Sequence, residues 1–153
     1  MGSDLLIPNG GKSIFSLTYV HDLVQVIISS LNSENSSEIY NVTTYPNVSI
    51  SKLLETAFPM LNSSSKEYFV DSVFLNENNI EQWTDLPLWL DCDYFTYDNK
   101  KAVEELKLEI TDFDNTVSDT IEYFDSTNWK TPNYGMTEKT KKVLIDSLCN
   151  LKN

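Results

Sequence analysis

Tyr97-Asp98-Asn99-Lys100-Lys101 sets a tyrosine four residues ahead of a lysine, Y-x-x-x-K. A nearby ammonium lowers a phenol's pKa, so this spacing can build a tyrosine acid/base. The chain has eight tyrosines and eleven lysines in 153 residues, and random placement alone gives about half a match. Lys100 and Lys101 also open a helix, where cations are slightly unfavourable, so the match reads as accidental. His21 is the only histidine, and Cys92 and Cys149 are both remote from it in sequence. A His-based metal site or a Cys–His pair therefore has little to build on. Asp22, next to it, can cap the following helix or touch a ligand. Both roles can coexist, because α/β proteins place ligands where a strand ends and a helix begins. The four glycines are Gly2, Gly10, Gly11 and Gly135. They cannot form G-x-G-x-x-G, G-x-x-x-x-G-K-[ST] or a G-x-S-x-G elbow. Trp83, Trp89, Tyr94, Phe95 and Tyr97 could wall an apolar ligand pocket or simply pack as core. Acidic pairs are plentiful, but nothing separates a catalytic pair from a solvated surface.

The elements that must position these residues follow from periodicity. Ile14–Leu31 reads as a buried strand entering a helix: Ile14, Phe15, Leu17, Tyr19 and Val20 favour strand, and His21-Asp22 breaks the run. Leu23, Val24, Val26, Ile27, Ile28 and Leu31 then give a wide apolar helical face that must lie against a sheet. Before it, Leu5-Leu6-Ile7 can form a small strand, with a turn at Pro8 and Gly10-Gly11. Asn32–Ser37 is a polar loop, and Glu38–Thr43 alternates as a strand. Thr44–Val48, with Pro46, reads as a loop. Ser49 caps a helix over Ile50–Phe58 with Leu53, Leu54, Ala57 and Phe58 inward, and Pro59 ends it. Lys66–Val70 is a strand, and Asp71 caps a short helix through Asn78. Pro87 argues against a central strand in Ile80–Asp93; Asp93–Tyr97 is a short extended piece. Asp98 caps Asn99–Leu106, with Ala102, Val103 and Leu106 inward. Asp112 or Asp114 caps Asn115–Phe124, with Val117, Ile121 and Phe124 inward. Ser126–Tyr134 is a loop. Thr137 starts a last amphipathic helix to about Leu151, carrying Val143, Leu144, Leu148 and Leu151.

The length fits one domain, 1–153, able to bury a core. The fold class expected is mixed α/β: a small few-stranded sheet with several helices. The net charge of −12 and pI near 4.3 argue against nucleic acid or another polyanion as partner. All the cationic side chains are lysines; arginine, the usual bidentate clamp for a diphosphate, is absent. The two cysteines are far apart, which suggests a reducing compartment and buried thiols. Four N-x-S/T sequons, at Asn35, Asn41, Asn47 and Asn62, read as chance in an Asn/Ser-rich chain. No secretory signal pattern or membrane-length apolar run is present, so a membrane is not an expected partner and the expected location is the cytoplasm.

Several stretches in order resemble the C-terminal, substrate-binding half of an extended short-chain dehydrogenase/reductase. Within that superfamily they are most similar to the 2′-hydroxyisoflavone reductase-like branch of the NAD-dependent epimerase/dehydratases. Leu17–Val24 resembles the family's aromatic-x-x-V-x-D-[LV]-A segment, with Asp22 on its aspartate. Glu38–Thr43 is like the hydrophobic-Y/F-N-V/A strand that carries Asn41, and Val48–Glu55 is like the helix that follows. Phe69–Leu75 and Trp83–Leu90 resemble the branch's V-D-x-x-F-L and W-x-x-L-P-L-W order. Asp98–Ala102 resembles D-x-S-K/R-A with lysine for the usual serine, Thr116–Ile121 resembles T-V-x-D-T-L, and Gly135-Met136-Thr137 is like its tail. The resemblance implies that Tyr19, Asp22, Asn41, Trp83 and Trp89 face a small-molecule substrate. It also implies that NAD(P) and the Ser/Tyr/Lys catalytic set belong to a Rossmann half whose glycine-rich loop this chain lacks. The function expected is thus the substrate-binding portion of an NAD(P)-dependent epimerase, dehydratase or reductase-like protein, holding no cofactor itself and inactive alone. The alternative is a stand-alone binding or interaction module of the same fold. The expected partners are a substrate or a separate Rossmann half, with self-association through an exposed apolar face a further possibility.

Overall fold

The computed structural model describes residues 3–32, 37–130 and 135–151. Strands and helices alternate: β1 (Leu5–Pro8), a 3-10 turn (Asn9–Gly11), β2 (Ile14–Leu17), α1 (Val20–Leu31), β3 (Tyr45–Ser49), α2 (Ile50–Leu61) and β4 (Glu67–Val70). There follow α3 (Ser72–Glu77), β5 (Tyr94–Phe95), α4 (Lys100–Leu106), α5 (Phe113–Ser126) and α6 (Glu138–Leu151). This is a mixed α/β fold with two small sheets. β1 and β4 pair in parallel, with Leu6 opposite Tyr68. β2 is central in the other sheet, antiparallel to β3 and parallel to β5.

Local chemistry accounts for most helix starts. Ser49 accepts the Lys52 N–H at 3.1 Å, and Asp71 accepts the Phe74 N–H at 2.8 Å. Asp112 accepts from Asp114 and Asn115. Each side chain satisfies a donor that the first helical turn leaves open. Between β1 and β2 the chain turns through Gly10 and Gly11, both at positive φ, and a Cβ on Gly11 would run into the Ser51 side chain. That close approach joins the turn to the start of α2.

Five expectations are corrected. Glu38–Thr43 is not a strand; the strand is β3, in the segment read as a loop. Pro46 is tolerated there because β3 is a sheet edge beside a register shift, and its carbonyl accepts from Ser16 Oγ at 3.0 Å. α2 does not stop at Pro59. It runs to Leu61 and closes at Asn62, whose φ of +47 lets Asn62 N–H reach Pro59 O and Ser63 N–H reach Phe58 O. Asp22 is not the cap of α1; Tyr19 holds the N-cap position and Asp22 lies inside the first turn. Both cysteines are exposed rather than buried, because Cys92 falls in the loop before β5 and Cys149 on the outer side of α6. On α6 the buried set is Leu144, Ile145 and Leu148, while Val143 and Leu151 face out. The loops read at Asn32–Ser37 and Ser126–Tyr134, and the Asn35 sequon, lie wholly or partly outside the described residues.

Two apolar clusters hold these elements. Leu6, Val70, Leu75, Ile80, Trp89, Leu144, Ile145 and Leu148 unite the β1–β4 sheet with α3 and α6. Val26 of α1 packs with Leu106 and Leu108, flanked by Tyr40, Val42 and Val103. Among the described residues no helix is long and apolar enough to cross a membrane.

Candidate functional site

The joint between β2 and α1, the segment Leu17–His21, forms one wall of a cavity of about 610 Å³. α2 supplies Leu53, Leu54, Ala57 and Leu61 to it, and α5 supplies Phe113, Thr116, Val117, Asp119 and Ile121. The walls are therefore mostly aliphatic and aromatic. Phe124 and Trp129 stack at 5.3 Å between ring centres, and both keep enough exposure to stand at the rim.

Two tyrosines carry the polar groups. Tyr19 has a buried ring, takes its N–H to Thr44 Oγ1 at 2.9 Å and donates its hydroxyl to Asp119 Oδ2 at 2.6 Å. That hydrogen bond to the carboxylate, with burial adding to it, pushes the Tyr19 pKa up to about 12. Tyr19 is thus a fixed donor at neutral pH and not a proton acceptor. Asp119 Oδ1 makes no hydrogen bond among the described residues. Tyr45 donates to the Thr111 carbonyl and lies 2.8 Å from Thr116 Oγ1, with its ring edge-on to Phe113. Burial raises its pKa as well.

The five residues expected to face a substrate are dispersed. Tyr19 lines this cavity. Asp22 is fully buried beneath it, where its carboxylate accepts from Thr111 Oγ1 at 2.7 Å and from the Thr111 N–H at 3.3 Å. Asn41 lines a smaller cavity of about 330 Å³ with Ser16, Thr18 and Tyr97. Trp89 is only 1% exposed, within the cluster of Leu6, Leu75 and Leu148, and its indole N–H has no acceptor among the described residues. Trp83 is half exposed, at positive φ, with its N–H on the Trp89 carbonyl. Of the Y-x-x-x-K residues, Tyr97 gives its N–H to Ser16 Oγ at 2.8 Å and sets its ring edge-on to Phe95. Lys101 is engaged by Glu38 and sits 4.9 Å over the Tyr40 ring, which raises its pKa through Glu38 first.

Tyr45, Thr116 and Asp119 were not singled out from the sequence. Two signals were present: Thr116–Ile121 carries the family-like T-V-x-D-T-L pattern, and Thr116, Asp119, Thr120 and Tyr123 recur at helical spacing on α5. No glycine-rich turn opens any described helix, so the residues do not fit the diphosphate of a dinucleotide. Among the described residues no group of three or more His, Cys, Asp or Glu side chains could hold a metal ion.

No protein-family model and no curated protein sequence matches the chain. Solved structures do. One is UDP-glucuronic acid 4-epimerase from Bacillus cereus in complex with NAD, at 14% identity and a TM-score of 0.59, covering 81% of this chain and 35% of that one. The same enzyme with UDP-glucuronic acid and NAD gives 16% identity and a TM-score of 0.61, over 81% and 36%. The chain has the fold of part of this epimerase. It spans little more than a third of those structures' length, and identity this low shows fold alone. A mixed α/β fold was the expectation, and it holds.

Proposed function

We propose that this chain is the substrate-binding portion of an NAD(P)-dependent epimerase, dehydratase or reductase-like protein, with cofactor and hydride transfer supplied by a Rossmann portion outside it. The observation that carries this reading is the cavity at the β2–α1 joint. Its apolar walls suit the body of a small uncharged molecule, and the open oxygen of Asp119 suits a hydroxyl or amide donor on it. Among the described residues no lysine lines the cavity, Lys52 standing 5.7 Å from the centre of the Phe113 ring, and the chain holds no arginine, so the bidentate clamp usual for a diphosphate is missing. The finer likeness to the 2′-hydroxyisoflavone reductase-like branch rests on the Phe69–Leu75 and Trp83–Leu90 motifs, and a small uncharged substrate agrees with it. The cytoplasm remains the proposed location.

The test is a pair of titrations followed by tryptophan fluorescence. Trp129 at the cavity rim should respond to neutral apolar alcohols in the micromolar to millimolar range, and Asp119→Asn should weaken them by about tenfold, the size of one charge-assisted hydrogen bond. NADH should show no micromolar binding. Tight NADH binding, or binding of UDP-glucuronic acid with no binding of neutral alcohols, would overturn the proposal.

A further inference from the structure

The cavity at the β2–α1 joint has a one-sided polar chemistry. Most of its hydroxyls already have acceptors within the chain. Tyr19 gives its proton to Asp119 Oδ2 at 2.6 Å, Thr120 to the Thr116 carbonyl at 2.7 Å, and Thr18 to the Val42 carbonyl at 2.8 Å. Tyr45 donates to the Thr111 carbonyl, so the 2.8 Å bond between Tyr45 Oη and Thr116 Oγ1 takes its proton from Thr116. The Trp129 indole N–H goes to Asp125. Among the described side chains that line the cavity, only the Tyr123 hydroxyl and the His21 imidazole hold an unplaced donor, and both residues are exposed.

What a ligand meets on this wall is therefore acceptors. Asp119 Oδ1 is open, and the Tyr19 oxygen keeps its lone pairs. Tyr19 holds Asp119 in place through the other carboxylate oxygen, and its pKa of about 12 keeps that proton where it is at neutral pH. The backbone offers donors: α1 has no side-chain cap, and the N–H groups of Val20 and His21 meet no acceptor among the described residues. A ketone oxygen can accept from such a group and do nothing more. A hydroxyl can accept there and still donate to Asp119. The difference between the two falls on Asp119.

We propose that this cavity takes a small alcohol or phenol in preference to the matching ketone, with the ligand's O–H given to Asp119 Oδ1. A ketone docked in the same place turns its lone pairs toward a carboxylate oxygen, acceptor against acceptor, and shields that oxygen from water. A site built around a substrate hydroxyl rejects the analogue that lacks it for this reason. The inference rests on the reading of this cavity as the substrate site, and it makes Asp119 the residue that sets specificity there.

Calorimetric titration of the chain with cyclooctanol and cyclooctanone tests it. The two are neutral, alike in shape, and differ at the one polar group. The alcohol should bind at least tenfold more tightly. Asp119→Asn gives a readout that a merely structural role would not move. Its amide oxygen can keep the Tyr19 bond while the amide nitrogen stands where Oδ1 stood, so a donor replaces an acceptor. The alcohol should weaken about tenfold and the ketone should tighten, which erases the preference. Asp119→Ala should weaken the alcohol alone. Equal affinity for the two compounds, or a ketone bound more tightly by the native chain, would overturn the inference and leave the proposed function standing. Parallel loss of both in Asp119→Asn would overturn it as well, since Asp119 would then only hold the wall in place. Binding of neither compound would overturn the inference and remove the cavity from the proposed function. NADH bound tightly by this chain, with the alcohol preference intact, would sink the function and leave the inference standing.

Discussion

Asp22 keeps its carboxylate wholly out of solvent, and Thr111 supplies a hydroxyl and an N–H to it across 89 positions of sequence. Its place in the first turn of α1 adds a favourable helix-dipole contact. Replacing it with alanine strands the Thr111 donors, so Asp22→Ala should cost about 3 kcal/mol in urea unfolding, with Asp22→Asn milder. Tyr19 behaves differently because its proton matters. Its folded pKa lies above the usual 10, at about 12, so the folded state holds that proton more tightly. The contribution is complete below pH 10 and is lost as pH rises toward 12. Absorbance at 295 nm should show one tyrosine titrating near 12 that is absent in Tyr19→Phe. The Tyr19→Phe variant should also lose the extra decline in stability between those pH values.

At the scale of elements, helix ends were legible where a single side chain does the work. Ser49, Asp71 and Asp112 act within three residues of themselves, so the pattern alone finds them. Pro59 misled because a proline near a helix C-terminus costs one hydrogen bond, and here the closing contacts at Asn62 offset it. Asn62 sits at a left-handed position that a β-branched side chain resists. Asn62→Val should therefore lower stability by about 1 kcal/mol, while Asn62→Gly should match the native chain or slightly exceed it, measured by thermal unfolding. Glu38–Thr43 misled for another reason. Alternation makes a segment able to be a strand, but a strand exists only against a partner, and none of the described residues provides one.

For the whole molecule, the two faces of α1 make opposite predictions. Val26 packs against Leu106 and Leu108, so Val26→Ala should cost about 2 kcal/mol. Ile28 faces outward, so Ile28→Glu should leave unfolding within about 0.5 kcal/mol. A large loss for Ile28→Glu in this chain alone would mean that the face is already covered. The sequence by itself determined the acidic charge, the lack of a phosphate-cradling loop, the mixed α/β class and most helix starts. These depend on composition or on contacts within one turn. It did not determine where Trp89 goes, which segment becomes β3, or that Tyr19 meets Asp119 a hundred positions away. Aromatic side chains suit core and pocket equally, a strand needs its neighbour, and a cavity needs walls from several elements. Only the packing of α2 and α5 around the β2–α1 joint makes those choices, because burial is shared between elements and no single segment carries it.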